Sequence, residues 1–216
     1  MKRLIVCGLV ACVMVVSAGV RSARADIIFS FDPGALQPAE NLLFNDPSLT
    51  LTGTTVQGIT NTTATLFDIT GQELLVGDGG QARVSGQDGT FTYLLFNAHD
   101  PLTMFTEFKA NVGVYKTSGQ SPTGTVTVKA TDSLGNVTTV SYGVGGGQNF
   151  FSVLATDPDL LRSLELTSTV PLADMEQIRV GGLTDPERTP VPEPASLLLF
   201  GSGLFAIARR LRRRAS

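Results

Sequence analysis

The run Thr125-Val126-Thr127-Val128-Lys129-Ala130 alternates polar and apolar side chains at every step. A period of two puts one set of side chains on a buried face and the other in water, which is a β-strand and not a helix. After it, Asp132-Ser133-Leu134-Gly135-Asn136 has the Asx and glycine chemistry of a tight turn, and Val137 to Tyr142 returns as a second strand. The same grammar covers most of the chain. Strands are expected at Ile27 to Phe31, Leu49 to Thr52, Ala64 to Ile69, Glu73 to Val76, Gln81 to Ser85 and Thr90 to Phe96. Leu102 to Val114 is expected as one long strand with a bulge at Gly113. Phe150 to Leu154, Leu164 to Thr169 and Gln177 to Val180 are expected to close the fold. One helical turn is expected at Asp157 to Leu161, capped by Asp157 with Pro158 at its first position. The glycine run Gly143 to Gly147 follows a strand, lacks the lysine of a phosphate loop, and reads as a flexible link. Strands this short, spaced by turns, predict an all-β fold: an antiparallel β-sandwich, jelly-roll-like, over residues 26–188. The turn from Ala130 to Asn136 is equally at home in an immunoglobulin-like sandwich.

The two ends obey different rules. Lys2 and Arg3 precede an apolar run from Leu4 to Val16, and Ala23-Arg24-Ala25 then places small residues at alternate positions before Asp26. This is the order of a secretory signal peptide over residues 1–25, with Ala23, Ala25 and Asp26 at the site that signal peptidase reads. An uncleaved anchor and a lipoprotein box at Leu9-Val10-Ala11-Cys12 are the competing readings. Both cysteines, Cys7 and Cys12, lie in this leader. A mature chain from Asp26 therefore has no disulfide and no thiolate metal site, and its stability rests on an apolar core.

At the other end, Thr189-Pro190-Val191-Pro192-Glu193-Pro194 is held extended by its prolines. Ala195 to Ala208 follows without a charge, and Arg209, Arg210, Arg212, Arg213 and Arg214 crowd the last positions. As a helix, the apolar run would rise about 21 Å, short of a hydrocarbon core of about 30 Å. Local thinning and snorkelling arginines would close that gap. The arginines would stay in the cytoplasm by the positive-inside rule.

Pro192-Glu193-Pro194, the apolar run and the arginine-rich terminus together resemble the PEP-CTERM sorting signal of Gram-negative bacteria. The resemblance covers residues 189–216 and implies a proline-rich motif, a transmembrane helix and a basic stop-transfer tail. It implies a membrane-embedded exosortase as processing partner, transient anchoring in the inner membrane, and a final place at the cell surface or outside the cell. It also implies a host that makes exopolysaccharide or biofilm. The stretch Gln148-Asn149-Phe150-Phe151, with late strands ending near Val180-Gly181, resembles the exported sandwich domains found ahead of such tails. A plain tail anchor with a basic stop is the alternative.

Charge and residue inventory narrow the function. Between leader and tail stand 18 acidic residues against seven basic ones, a net of −11. Phosphate backbones need a basic surface, so nucleic acid is not an expected partner. The one histidine, His99, sits in the turn-like Asn97-Ala98-His99-Asp100-Pro101, and no G-x-S-x-G elbow accompanies it. The acidic residues offer many pairs for glycoside hydrolysis, but no spacing selects one. Asp157-Pro158-Asp159, or Asp78, offers oxygen to calcium without a calcium-loop spacing, so no metal or cofactor is expected. There is no tryptophan, and Tyr93, Tyr115 and Tyr142 are the tyrosines a sugar could meet. The expected function is a non-enzymatic exported surface or matrix protein. A carbohydrate-binding module, and behind it a polysaccharide hydrolase, are the alternatives.

Overall fold

A computed structural model describes residues 26–78, 82–120 and 122–184. The expected signal-peptide helix and C-terminal transmembrane helix lie outside the described residues. Within them the fold is all-β and antiparallel, with eleven strands. In chain order these are β1 Ile27–Ser30, β2 Glu40–Leu43, β3 Thr52–Thr60, β4 Leu66–Asp78, β5 Arg83–Gly86 and β6 Phe91–Ala98. Then follow β7 Glu107–Val114, β8 Gly124–Asp132, β9 Val137–Val144, β10 Phe150–Ala155 and β11 Leu161–Gly181.

Two long strands organise the sheet by changing partners along their length. Residues 161–168 of β11 lie between β6 and β8, with Leu166 opposite both Leu94 and Val128. Residues 172–181 of the same strand lie beside β7, and on their other side meet β5 at Asp174 and Met175 and β2 at Arg179 and Val180. β4 does the same on a smaller scale: Phe67 to Gly71 pair with β6, and Leu75 to Asp78 pair with β5. β1 continues the sheet beyond β10, and β9 continues it beyond β8.

The alternation seen in the sequence becomes one core. Phe44, Phe67, Phe91, Phe96, Phe105, Phe108 and Phe151 are fully buried, with Leu42, Ile69, Leu75, Leu94 and Leu161. Phe96 meets Phe108 edge to face at 5.2 Å, and Phe67 meets Phe105 at 5.6 Å. Each such side chain contributes about 1.5–3 kcal/mol through removal from water, so this core can stand without a disulfide.

Several expectations need correction. Leu164–Thr169 and Gln177–Val180 are not separate strands but parts of β11. Pro171 is tolerated in its middle because the register breaks between Thr167 and Leu172, where the strand changes partners and no ladder N–H is needed. Likewise Ala64–Ile69 and Glu73–Val76 merge into β4 through Gly71. β7 starts only at Glu107, since Thr103 N–H closes a turn onto Asp100. The irregularity near Gly113 lies across from it: Leu172 and Asp174 pair with consecutive residues Val114 and Gly113, so Ala173 is the extra residue. Residues 157–161 make no helical turn; Asp159 N–H bonds Thr156 O at 2.8 Å and Leu161 already belongs to β11. The glycine run is pinned, not free: Asn149 Nδ2 donates to Val112 O, Gly145 O and Gly147 O, and Asn149 Oδ1 accepts from Gly145 N–H.

Candidate functional site

Most of the residues expected to carry function lie at the ends. Ala23 and Ala25, Pro192, Glu193 and Pro194, and Arg209, Arg210, Arg212, Arg213 and Arg214 are outside the described residues. Asp26 is within them. Its N–H donates to Thr156 Oγ1 at 3.2 Å, and its carbonyl accepts from Thr156 N–H at 3.1 Å. The chain thus joins the sheet at the residue that would follow signal-peptide cleavage. Among the described residues no helix is long and apolar enough to cross a membrane.

His99 is not alone. Its Nδ1 lies 2.9 Å from Asp68 Oδ2, and Gln57 Nε2 donates to Asp68 Oδ1 at 3.1 Å. β3 and β4 bring these together, since Gln57 is the cross-strand partner of Asp68. The imidazole is half exposed, and no hydroxyl bonds to it among the described residues. The arrangement is an acid–histidine pair without a nucleophile, and at an open surface such a pair adds little stability.

The candidate calcium residues are dispersed. Asp78 lies 3.6 Å from Arg83 as an ion pair. Asp159 has its pKa raised by burial first, then by the charges of Asp132 and Asp26. The oxygens of Asp132 are already engaged, accepting from Leu134 N–H, Asn136 N–H and Asn136 Nδ2 within the β8–β9 turn. Burial pushes the Asp132 pKa up, but those bonds outweigh it and hold the group below its ordinary value. Among the described residues no cluster of three or more His, Cys, Asp or Glu side chains is placed to hold a metal.

One open groove of about 450 Å³ is lined by Glu73, Leu74, Gln87 and Asp88. The β5–β6 turn builds one wall. Gly89 N–H bonds Gly86 O at 3.0 Å, Thr90 N–H bonds Asp88 Oδ1 at 3.1 Å, and Gln87 N–H bonds Leu74 O at 2.7 Å. Gly86 is required there, because a Cβ would run into the Thr90 carbonyl. Glu73 Oε1 accepts from Thr92 Oγ1 at 3.1 Å, while its Oε2 is buried without a partner. Leu74 is exposed, and exposed Tyr115 stands beside Gly89. Glu73, Gln87 and Asp88 give the groove polar groups, and exposed Leu74 and Tyr115 stand beside them, a combination suited to a hydroxyl-rich ligand. Glu73 and Gln87 carry no sequence signal of their own, because β4 and the β5–β6 turn meet only on folding.

The opposite charge is concentrated at Lys109 and Arg179, which face each other across β7 and β11. Burial first, and Arg179 next, push the Lys109 pKa down. Its ammonium bonds Pro33 O and lies 5.3 Å from the Phe150 ring centre, so the Pro33 loop already occupies this basic pair.

Comparison with known families gives one finding. Residues 190–214 match the PEP-CTERM protein-sorting motif. The motif is the signal by which an exosortase sorts exported proteins, so the resemblance read at the C-terminus is a match. Neither the curated proteins nor the solved structures give a match to the chain.

Proposed function

We propose that this chain, which carries a PEP-CTERM sorting motif at residues 190–214, is a non-enzymatic surface or matrix protein. In this reading signal peptidase cuts between Ala25 and Asp26. Residues 195–208 hold the chain in the inner membrane, and Arg209, Arg210, Arg212, Arg213 and Arg214 stop its transfer. Pro192 and Pro194 keep the processing site extended for the exosortase, since neither can enter a regular helix or donate to one. Glu193 marks the site with a charge at the outer edge of the bilayer. The body is then released or passed on at the cell surface, in contact with the host's exopolysaccharide or biofilm. The match to the sorting motif is the observation that carries the reading. The place of Asp26 at the edge of the sheet supports it.

The body itself we read as a β-sandwich of jelly-roll type. β11 would pass from one layer to the other at Pro171, since its halves have different neighbours. Against a catalytic role stands the lone His99–Asp68 pair.

Intact mass of the mature protein from its native host, with and without the exosortase, tests the sorting. Loss of the chain beyond about Pro194 only in the presence of the exosortase is the expected result. A mass that retains Arg209 to Ser216 in both strains would reduce the tail to a simple anchor.

A second reading rests on the groove beside Glu73, which we propose as a weak subsite for a neutral sugar. Titration with oligosaccharides cut from the host polymer would shift the resonances of Leu74, Asp88 and Tyr115. Glu73→Gln would weaken those shifts. Shifts scattered over the whole surface would remove the assignment.

A further inference from the structure

β9 is an edge strand: among the described strands it pairs with β8 alone. Edges of this length are usually protected by a charge, a proline, a bulge or a covering loop. Val137-Thr138-Thr139-Val140-Ser141-Tyr142-Gly143-Val144 has no charge and no proline, and its register with β8 runs without a break from Val137 to Val144. β1, which among the described strands pairs with β10 alone, is four residues long and lies between Asp26 and Asp32-Pro33.

The pairing with β8 fixes which groups face outward. Asp132 N–H bonds Asn136 O at 3.0 Å, so this is a hydrogen-bonded pair, and by alternation so are Ala130–Thr138, Val128–Val140, Val126–Tyr142 and Gly124–Val144. Val137, Thr139, Ser141 and Gly143 therefore turn their N–H and C=O groups away from β8. A two-fold axis through Val140 sets Thr139 against Ser141 of a second copy and Val137 against Gly143. Of all antiparallel registers of β9 on itself, this one alone engages all four outward residues in both copies. Each of the four pairs exchanges two hydrogen bonds.

The side chains suit the same axis. Val137 and Leu134 are exposed at one end of the hairpin, and glycines begin at the other. The two-fold brings the bulky end of one copy against the bare end of its mate. On the inner face of the strand, half-exposed Phe31 stacks on Tyr142 at 4.5 Å.

We propose that β9 pairs antiparallel with β9 of a second copy, about Val140, and joins two bodies into a continuous sheet. This pairing belongs to the body and does not depend on the sorting motif.

The test uses the mature full chain in mild detergent, with its mass measured by light scattering on a sizing column. The wild type is expected at twice the chain mass. Thr139→Glu with Ser141→Glu puts like charges opposite one another across the axis, and so does Thr139→Lys with Ser141→Lys. Each double variant alone is expected as a monomer with an unchanged circular dichroism spectrum. An equimolar mixture of the two is expected to regain the dimer, which unfolded chains would not do. A monomeric wild type, double variants that remain dimeric, or a mixture that stays monomeric would each overturn the proposal.

Discussion

Glu40 gives the most direct test of how the body is held. It opens β2 and is almost fully buried, yet its partners sit in the exposed turn between β3 and β4. Oε2 accepts from Thr63 N–H at 2.8 Å, Thr62 N–H at 3.1 Å and Thr63 Oγ1 at 3.0 Å. Thr63 Oγ1 lies 2.8 Å from Thr60 Oγ1 and 2.9 Å from Thr65 Oγ1, so one carboxylate orders a cluster of hydroxyls. Burial pushes the Glu40 pKa up, but the bonds from Thr63, Thr60 and Thr62 outweigh it and leave the group below its ordinary value of 4.5. Hydrogen bonds to a charged group contribute about 1.5–3 kcal/mol each when the donors have no alternative. Here the freed donors would reach water, so Glu40→Ala is expected to cost about 2 kcal/mol in all, not the full sum. At this chain length that lowers Tm by about 4–8 °C. Glu40→Gln keeps an acceptor without its charge, with an expected loss of about 1 kcal/mol. The sign with pH follows from the lowered pKa. The stabilisation is complete above the ordinary glutamate value and disappears as the pH falls through the lowered one, where the protonated acid resembles glutamine. The gap between wild type and Glu40→Gln should therefore close on acidification. Thermal melts followed by circular dichroism, at neutral and acidic pH, measure both. An Ala variant within about 0.5 kcal/mol of wild type, or a Gln gap that persists in acid, would refute the reasoning.

Tyr142 has a buried hydroxyl without a partner, and its burial pushes the phenol pKa far up, so Tyr142→Phe is expected to raise stability by about 1 kcal/mol in urea unfolding. Gly86→Ala should cost about 2 kcal/mol or more, because the atom facing the new methyl is the Thr90 backbone carbonyl and cannot swing aside. Arg83 lies 2.8 Å from Asp174 Oδ2, and Arg83→Ala should cost about 2 kcal/mol at neutral pH, less than for a fully buried pair because Arg83 is partly exposed. Burial raises the Asp174 pKa more than Arg83 lowers it, so the carboxylate neutralises early on acidification and the Arg83→Ala loss should shrink with it in pH-dependent melts.

Where local chemistry decides structure, the sequence was a good guide. The β8–β9 hairpin was legible to within two residues at its ends, because strict alternation and an Asp-to-Asn turn need no distant partner. β2 was not, since four residues carry too little period to stand out, and its place is set by β3 and β11. β11 and β4 looked broken at Pro171 and Gly71. Both residues fall where the strand exchanges one neighbour for another, and no sequence window of local length contains that fact. The C-terminal sorting motif was legible by the order of its parts, proline then apolar then arginine. The groove at Glu73 was not, because its two walls are assembled by long-range pairing.

The strand that closes the fold is also the last to leave the membrane in the proposed route. β11 pairs with β2, β5, β6, β7 and β8, so it is shared by more of the sheet than any other strand described. Non-local pairing of this kind is slow, because loop entropy is lost before the contacts form. While β11 is missing, β6, β7 and β8 expose unpaired edges, the condition under which chains aggregate. In the proposed route the C-terminal segment would enter the membrane only after residue 181 has passed, and the tether would give the sheet time to close before release. Order of synthesis, strand topology and the position of the sorting motif after β11 would then serve one end: the body would be freed only once its own last strand is available to complete it.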